Sequence, residues 1–206
     1  MGYDNSPVFS QSGKYLAWLS MRHDGFESDK NEIWMMDLKS GKKRSLTENL
    51  DYTFSSFDWS ADEKTIYATS DVMATQQIFS LTLAVKQDGP LTVTGHQIIT
   101  TGDHNINGVT VAGEKLIGTM TTMRKPAELY SWDIKTIEQK QISHANDNLV
   151  SGFKMGKVEK RIIKTTDGQD MLTWVIYPPD FNPAKKYPTL LYCQGGPQSA
   201  VSQFFS

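Results

Sequence analysis

The stretch EIWMMDLKS at residues 32–40 returns 96 residues later as ELYSWDIKT at residues 128–136, with nearly every position alike in chemical type. A middle copy, QIFSLTL at residues 77–83, has aromatic and aliphatic residues in matching places. A second shared run precedes each copy, and these runs are spaced by 50 and then 51 residues: GKYLAW at 13–18, EKTIYA at 63–68 and EKLIGT at 114–119. The chain therefore contains an internal repeat with a period of about 50 residues.

Each repeat is predicted to consist of short antiparallel strands. Its β-branched and aromatic runs of about five residues alternate with turn residues, a pattern typical of strands. Gly41 lies between two such runs, where a hairpin turn needs positive φ. The phrases FSQSG at 9–13 and WSADE at 59–63 predict tight turns, because short polar side chains hydrogen-bond the local backbone.

Four short strands in about 50 residues are typical of β-propeller blades. A β-sandwich of three unrelated hairpin pairs is the alternative, but it gives no reason for the 96-residue match. Since propellers use about four to eight blades, we expect residues 1–150 to form about three blades, an arc of a larger ring. The fold class is thus mainly β, an incomplete propeller followed by a different domain.

The repeat fails after Asn148. Residues 158–165 and 171–177, with the turn TDGQ between them, predict a strand, a turn and a strand. Pro178, Pro179 and a polar loop then lead to TLLYC at 189–193, a short apolar run of the kind found in a buried central strand. This order predicts that residues 151–206 are the truncated opening of an α/β-hydrolase domain.

The stretch YPPDFNPAKKYP at 177–188, followed by QGGPQ at 194–198, resembles the prolyl oligopeptidase family of serine peptidases. The likeness is greatest to bacterial dipeptidyl peptidases of type V and to acylaminoacyl peptidases, while the repeats alone also resemble TolB. The resemblance implies release of dipeptides or acylated residues from the amino end of oligopeptides, by acyl-serine hydrolysis without metal or organic cofactor. Gln194 departs from the acylaminoacyl pattern His-Gly-Gly-Pro, which puts only a side-chain role at that position in doubt.

Two glycines in this loop suit an oxyanion hole. Amide hydrolysis passes through an intermediate whose oxygen becomes negative, and N–H donors about 3 Å away lower that barrier by roughly 3–4 kcal/mol. Without a Cβ, the backbone can approach the substrate closely. By the resemblance, the loop donor maps onto Gly196, with Gly195 second. The alternative is that Gly-Gly-Pro is simply a loop.

The catalytic Ser, Asp and His of the resemblance are expected beyond Ser206. The sequence has no Gly-x-Ser-x-Gly, and no histidine follows the glycine loop. Ser199, Ser202 and Ser206 have no visible base, so we interpret them as loop residues. The chain is therefore expected to be an inactive fragment of a peptidase.

The loop RHDGFESDK at residues 22–30 is a candidate for binding the substrate's amino group. Dipeptidyl peptidases of this superfamily fix that group with carboxylates from the propeller side, because a desolvated ammonium needs such partners. Glu27, Asp24 and Asp29 are the candidates. The alternative is a solvated hairpin with internally paired charges.

The amino-acid composition limits the kinds of partner and ligand that we expect this chain to bind. With 21 Lys and Arg against 23 Asp and Glu, the net charge is −2 and offers no basic excess for nucleic acid. No apolar run approaches 18 residues, so no membrane span is expected. The lone Cys193 excludes an internal disulfide and is interpreted as a small buried hydrophobe. Four separate histidines, without metal-ligand spacing, are interpreted as surface or turn residues: His23, His96, His104 and His144.

Two other functions compete with the peptidase: a non-catalytic TolB-like propeller that binds a protein partner, and an esterase or lipase of the hydrolase class. Unpaired strand edges also predict self-association. The resemblance favours a periplasmic or secreted bacterial parent and leaves the cytoplasm open.

Overall fold

The first repeat is a four-stranded antiparallel sheet. The computed structural model describes residues 3–26, 28–85, 89–193, 195 and 200–206. The sheet has the strand order β1-β2-β3-β4. Its strands are β1 (Asp4–Phe9), β2 (Tyr15–Ser20), β3 (Glu32–Asp37) and β4 (Lys43–Ser45).

The second and third repeats follow the same order of antiparallel strands and are joined in one nine-stranded sheet by parallel pairing of their third and first strands. The second contains β5 (Phe54–Trp59), β6 (Thr65–Val72), β7 (Thr75–Val85) and β8 (Leu91–Ile98). The third contains β9 (Asn105–Ile106), β10 (Thr110–Ala112), β11 (Lys115–Thr122), β12 (Lys125–Asp133) and β13 (Gln139–Gln141). Both β9 and β10 pair with β11, so together they are one interrupted strand. The prediction of four short antiparallel strands per repeat is confirmed.

The interruption between β9 and β10 depends on two glycines. Gly108 has φ +119°, a conformation that side chains disfavour. A Cβ on Gly118 of β11 would lie 2.3 Å from the Gly108 carbonyl oxygen, so only glycine allows this approach. The predicted turns are also confirmed. Gly41 has φ +70°, and the hydroxyls of Ser10 and Ser60 accept hydrogen bonds from the Tyr15 and Thr65 N–H groups at 3.3 and 3.0 Å.

In every repeat, a hydroxyl group binds the third strand at the point where its pairing with the fourth strand ends. The N–H of Ile33 donates to Thr47 Oγ1 at 2.9 Å, that of Ile78 to Thr100 Oγ1 at 2.8 Å, and that of Leu129 to Ser143 Oγ at 2.8 Å. Each hydroxyl belongs to the linker that follows the fourth strand. We call this arrangement the hydroxyl latch. It fixes the point at which one repeat ends and the chain crosses to the next.

The residue before each latched N–H is a buried carboxylate or carboxamide. Glu32, Gln77 and Glu128 are 0%, 3% and 2% exposed. Thr100 Oγ1 donates to Gln77 Oε1 at 2.9 Å, and Ser143 Oγ donates to Glu128 Oε2. The hydroxyls therefore serve as acceptor and donor at once in the second and third repeats.

The apolar core lies between successive repeats. One cluster joins Ala17, Leu19, Ile33 and Met35 of the first repeat to Phe79 and Leu81 of the second. Another joins Tyr67 and Ile78 of the second repeat to Leu116, Tyr130 and Trp132 of the third. The second repeat thus presents one face to the first repeat and the opposite face to the third.

After the repeats come the short helix α1 (Asp147–Val150) and a hairpin of β14 (Val158–Lys164) and β15 (Asp170–Ile176). The predicted strand, turn and strand is confirmed, and Gly168 in its turn has φ +83°.

The prediction of a buried strand at residues 189–193 is wrong. This segment has no regular secondary structure, and Leu190 and Leu191 are 96% and 86% exposed. A central strand is buried only by flanking strands and covering layers, and no described residue covers these two leucines. Cys193 is likewise exposed, not buried.

The interpretation of one histidine is also wrong. His104 is buried, at 7% exposure, and its Nε2 lies 3.0 Å from Gln77 Oε1. Burial lowers the pKa of His104 from its ordinary value, which favours the neutral ring. His23, His96 and His144 are exposed, as expected.

Removing one latch hydroxyl should destabilise the fold. Thr100→Val leaves the Ile78 N–H and Gln77 Oε1 without that partner in a buried site, so we expect a loss of about 1–3 kcal/mol in the free energy of unfolding. Thr100→Ser keeps the hydroxyl and is the matched control. Urea unfolding followed by tryptophan fluorescence measures both, and equal stability of the Val and Ser variants would contradict the latch.

Candidate functional site

The three repeats are stacked in the same orientation. The Ser12 hydroxyl, in the β1–β2 turn, donates to Glu63 Oε2 in the equivalent β5–β6 turn at 3.0 Å. The Val109 N–H, beside β10, donates to Ser56 Oγ on β5 at 3.0 Å. The connections between second and third strands therefore share the opposite end of the stack. We call this end, formed by residues 21–26, 28–31, 73–74 and 123–124, the connection face.

The candidate amine-binding loop lies on the connection face, and its ends are held by one buried carboxylate. Arg22 Nε donates to Glu32 Oε1 at 2.9 Å, and Lys30 Nζ lies 3.8 Å from the same oxygen. Lys30 Nζ also donates to the carbonyl oxygens of Glu48 and Leu50, both at 2.7 Å. The two cations compensate the charge of Glu32, which is fully buried.

Of the three candidate carboxylates in this loop, Asp29 is engaged within it. Asp29 Oδ2 accepts the His23 N–H at 2.6 Å and lies 2.9 Å from His23 Nδ1. The hydrogen bond from the His23 backbone lowers the pKa of Asp29 from its ordinary value. Asp24 is exposed. Glu27 lies outside the described residues.

The glycine loop is described only in part. Gly195 is exposed, and a Cβ built on it would meet no heavy atom within 4 Å. Gln194 and Gly196 lie outside the described residues, as does Ser199. The role of Gly196 as an oxyanion donor therefore stays a prediction.

The segment that follows the glycine loop docks on the connection face. Asn105 on β9 donates from Nδ2 to Ser202 Oγ at 2.8 Å and accepts the Gln203 N–H at Oδ1, at 3.2 Å. The Met123 N–H, in the β11–β12 connection, donates to Gln203 Oε1 at 3.0 Å. Gln203 is 2% exposed and Asn105 is 8% exposed. The third repeat thus holds this segment through a buried polar contact.

The hairpin of β14 and β15 also contacts the third repeat and the final segment. Lys160 on β14 forms a 2.9 Å ion pair with Asp103 and lies 5.0 Å from the centre of the Trp174 ring. Trp174 Nε1, on β15, donates to the Val201 carbonyl oxygen at 3.1 Å. The repeats, the hairpin and the final segment therefore meet at one junction. Sequence reasoning missed Asn105 and Gln203, which lie 98 residues apart and belong to no motif.

The described residues give little support for a serine nucleophile, a metal site or a membrane span. Ser202 Oγ is hydrogen-bonded to an amide and not to a base. No group of three His, Cys, Asp or Glu side chains could hold a metal ion among the residues that have a described position. Within the described ranges, no helix has both the length and the apolar character to cross a membrane.

The fold and the junction define the structural class of the chain. It consists of propeller-type β repeats followed by a non-repeated segment. Solved structures share this fold. Acylaminoacyl peptidase of Pyrococcus horikoshii matches with a TM-score of 0.63 and 20% identity over 85% of this chain and 25% of that one. A TolB-type protein of Agrobacterium tumefaciens matches with a TM-score of 0.51 and 18% identity over 68% of this chain and 48% of its own.

A curated relative makes the assignment more particular. The chain is 37% identical to dipeptidyl-peptidase 5 of Porphyromonas gingivalis over 206 residues, which is 100% of this chain and 29% of the relative. The predicted resemblance to prolyl oligopeptidase-type peptidases, of the dipeptidyl-peptidase V and acylaminoacyl peptidase kind, is thereby confirmed. The chain spans less than a third of that relative's length. No protein-family model matches it.

Proposed function

We propose that this chain is part of a serine peptidase that releases dipeptides or acylated residues from the amino end of oligopeptides. The observation that supports this most is the similarity to dipeptidyl-peptidase 5 along the whole chain. It includes residues 151–206, which the repeats do not explain. In this proposal residues 1–150 belong to a propeller and residues 151–206 open the hydrolase domain.

The chemistry assigned to the chain is transition-state stabilisation. The N–H of Gly196, with Gly195 as the second candidate, would face the oxygen that becomes negative when serine attacks the peptide carbonyl. The nucleophile, its base and the orienting carboxylate would come from residues beyond Ser206 of a longer protein. No metal or organic cofactor is needed for this reaction, and the peptide substrate is the only partner it requires.

The acidic loop would bind the substrate's amino group. Its position supports this role, because the loop and the segment after the glycine loop share the connection face. Pairing with His23 competes with this role at Asp29, so Glu27 is the residue to test first. The cations at the loop's ends, Arg22 and Lys30, both lie beside Glu32.

The TolB-like interaction module is less well supported. The TolB match covers 68% of the chain, which is a smaller share than residues 1–150 make up. The acylaminoacyl peptidase match covers 85% of the chain and so extends beyond the repeats. An esterase or lipase would share the catalytic chemistry, but the Porphyromonas gingivalis relative is named a dipeptidyl-peptidase.

The first repeat is proposed to pack against another repeat unit. Trp34 and Met36 occupy the positions of Phe79 and Leu81 in the second repeat, which are 0% exposed against the first repeat. In the first repeat the same face is only half-buried. In a longer protein a preceding repeat would cover it. In the isolated chain, a second copy would do so.

The catalytic assignment is tested with a fluorophosphonate serine probe. A full-length protein containing this chain should be labelled and should release dipeptides from peptide substrates, whereas the 206-residue chain should not be labelled. Labelling of the isolated chain would overturn the placement of the triad. A full-length protein without dipeptide release would overturn the proposed function.

The amine-binding assignment is tested by Glu27→Gln in the full-length protein. Loss of the carboxylate should raise KM for substrates with a free amino end about 10- to 100-fold, as expected for a desolvated ion pair. Amino-blocked substrates should be unaffected. Asp29→Asn is the matched control, since Asp29 is paired with His23. Unchanged kinetics in the Glu27 variant would eliminate this residue.

Self-association is tested by sedimentation of the isolated chain. The wild type should associate with rising concentration, and Trp34→Glu should remain monomeric because a charge on the half-buried face opposes packing. Leu38→Glu, which changes an exposed turn residue, should behave as the wild type does. A wild-type chain that sediments as a monomer at every concentration would contradict this proposal.

A further inference from the structure

A cleft of about 290 Å³ lies between the first and second repeats. One wall is the β3–β4 hairpin, and the other consists of residues 89–91, which lead into β8. The β3–β4 turn adjoins the β1–β2 turn, because the Leu38 N–H donates to the Lys14 carbonyl oxygen at 2.9 Å. The cleft is therefore at the end of the stack opposite the connection face. We call it the inter-repeat cleft.

The strand pattern places two cations and a carboxylate on the wall of this cleft. Alternate residues of a strand share a face, so Asp37 lies on the same face of β3 as Met35, which is buried in the core. Arg44 is the cross-strand partner of Met35 and shares that face. Lys42, two residues before Arg44, also lines the cleft. The two cations thus lie at the margin of the core between the repeats.

Neither cation has a partner among the residues that the structure describes. The side chains of Lys42 and Arg44 form no ion pair and no hydrogen bond with any of them. Arg44 is half-buried. A partly desolvated guanidinium is stabilised by an anion that accepts two parallel hydrogen bonds, and a carboxylate has this geometry. The wall of the cleft therefore favours a carboxylate ligand.

The Asp37 carboxylate gives the cleft a hydrogen-bond acceptor. Asp37 Oδ1 accepts the Ser40 N–H at 2.7 Å and the Ser40 hydroxyl at 2.9 Å. These hydrogen bonds, the backbone one first, lower the pKa of Asp37 from its ordinary value, so the group is ionised at neutral pH. Asp37 Oδ2 accepts no hydrogen bond from a described residue, so it can accept one from an N–H group of a ligand.

The remaining part of the cleft is apolar. Met35 and Leu91 line it and are 2% and 8% exposed. The Tyr15 ring, which also lines it, is stacked on the Trp59 ring with 6.2 Å between the centroids. A ligand that suits the whole cleft has a carboxylate, a nearby N–H group and an apolar side chain. These groups occur together at the carboxyl end of a peptide.

The third repeat shows that the fold does not require both cations. Its β12–β13 pairing repeats the β3–β4 pairing with the offset of 96 residues. At this offset Arg44 corresponds to Lys140, but Lys42 corresponds to Glu138. The same hairpin therefore forms with an acidic residue in place of Lys42. Hairpin folding does not explain the excess of positive charge at the inter-repeat cleft, whereas an anionic ligand does.

We propose that the inter-repeat cleft binds the carboxyl end of a short peptide. Arg44 and Lys42 bind the carboxylate, and Asp37 Oδ2 accepts the N–H of the peptide's last residue. The apolar side chain of that residue packs against Met35 and Leu91. This site goes beyond the proposed function, because it engages the opposite end of a peptide from the acidic loop and lies at the opposite end of the stack.

The first experiment tests the ligand chemistry by calorimetric titration of the 206-residue chain. The dipeptide Gly-Leu should bind, and its carboxyl amide should bind at least about 10-fold more weakly, because it lacks the charge-assisted hydrogen bonds. Acetyl-Gly-Leu should bind as Gly-Leu does, since the cleft does not use the amino end. Equal affinity for the acid and the amide, or no binding of the acid, would overturn the proposal. Inorganic phosphate that binds as tightly as Gly-Leu would overturn the assignment to a peptide.

The second experiment locates the binding site with variants. Lys42→Gln and Arg44→Gln should each weaken Gly-Leu binding about 10-fold. Lys140→Gln is the matched control, because Lys140 is the equivalent of Arg44 in the third repeat and should leave the affinity unchanged. Lys42 is exposed, so its variant keeps the test valid if Arg44→Gln does not fold. Unchanged affinity in the Lys42 variant, or an equal loss in the Lys140 variant, would place the ligand elsewhere and overturn the site.

The outcomes are independent of the peptidase proposal. The titration uses the isolated chain and requires no catalysis, so a failure to bind Gly-Leu would leave the proposed function standing. A full-length protein without dipeptide release would overturn the proposed function and leave the assignment of the inter-repeat cleft standing.

Discussion

The hydroxyl latch is the constraint on which the rest of the structure depends. A strand residue that faces a linker, beyond the end of the neighbouring strand, leaves an N–H group whose burial is unfavourable without an acceptor. Thr47, Thr100 and Ser143 supply that acceptor from the linker itself. Strand and linker are thereby joined at both crossings between repeats and again after the third repeat. The apolar faces of neighbouring repeats are thus brought into register. Core packing alone, which is non-directional, would not fix that register.

The buried group beside each latch is satisfied in a different way in each repeat. Glu32 is held by Arg22 and Lys30, which fasten the ends of the acidic loop. Gln77 belongs to a neutral network with Thr100 and His104. Glu128 is bound by the Ser143 hydroxyl and by backbone N–H groups of the linker, and the Ser143 hydrogen bond is the main cause that lowers its pKa to about 2. The same position of the repeat thus holds the acidic loop in the first repeat, a neutral network in the second and the following linker in the third.

The repeat is readable from sequence because its signal is local and redundant. The match between residues 32–40 and 128–136 predicts the strands, and the serine turns and Gly41 predict their boundaries. The exposure of the segment at 189–193 is not predictable, since an apolar run specifies a tendency to be buried and not the layers that bury it. The burial of His104 escapes sequence reasoning for a related reason. Its partner Gln77 lies 27 residues away, and only the pairing of β7 with β9 brings them together.

The junction of the repeats, the hairpin and the final segment cannot be predicted from sequence, because its partners are also far apart in the chain. Its contacts differ in how strictly they fix the geometry. The Lys160–Asp103 ion pair joins side chains that are 32% and 57% exposed, so solvent and salt weaken it. The Asn105 and Gln203 contacts are neutral and buried, so they depend on distance and angle rather than on ionic strength. The ion pair can bring the hairpin towards the third repeat, but it tolerates many geometries. The precise placement of the segment after the glycine loop must therefore come from the amide contacts, which tolerate few.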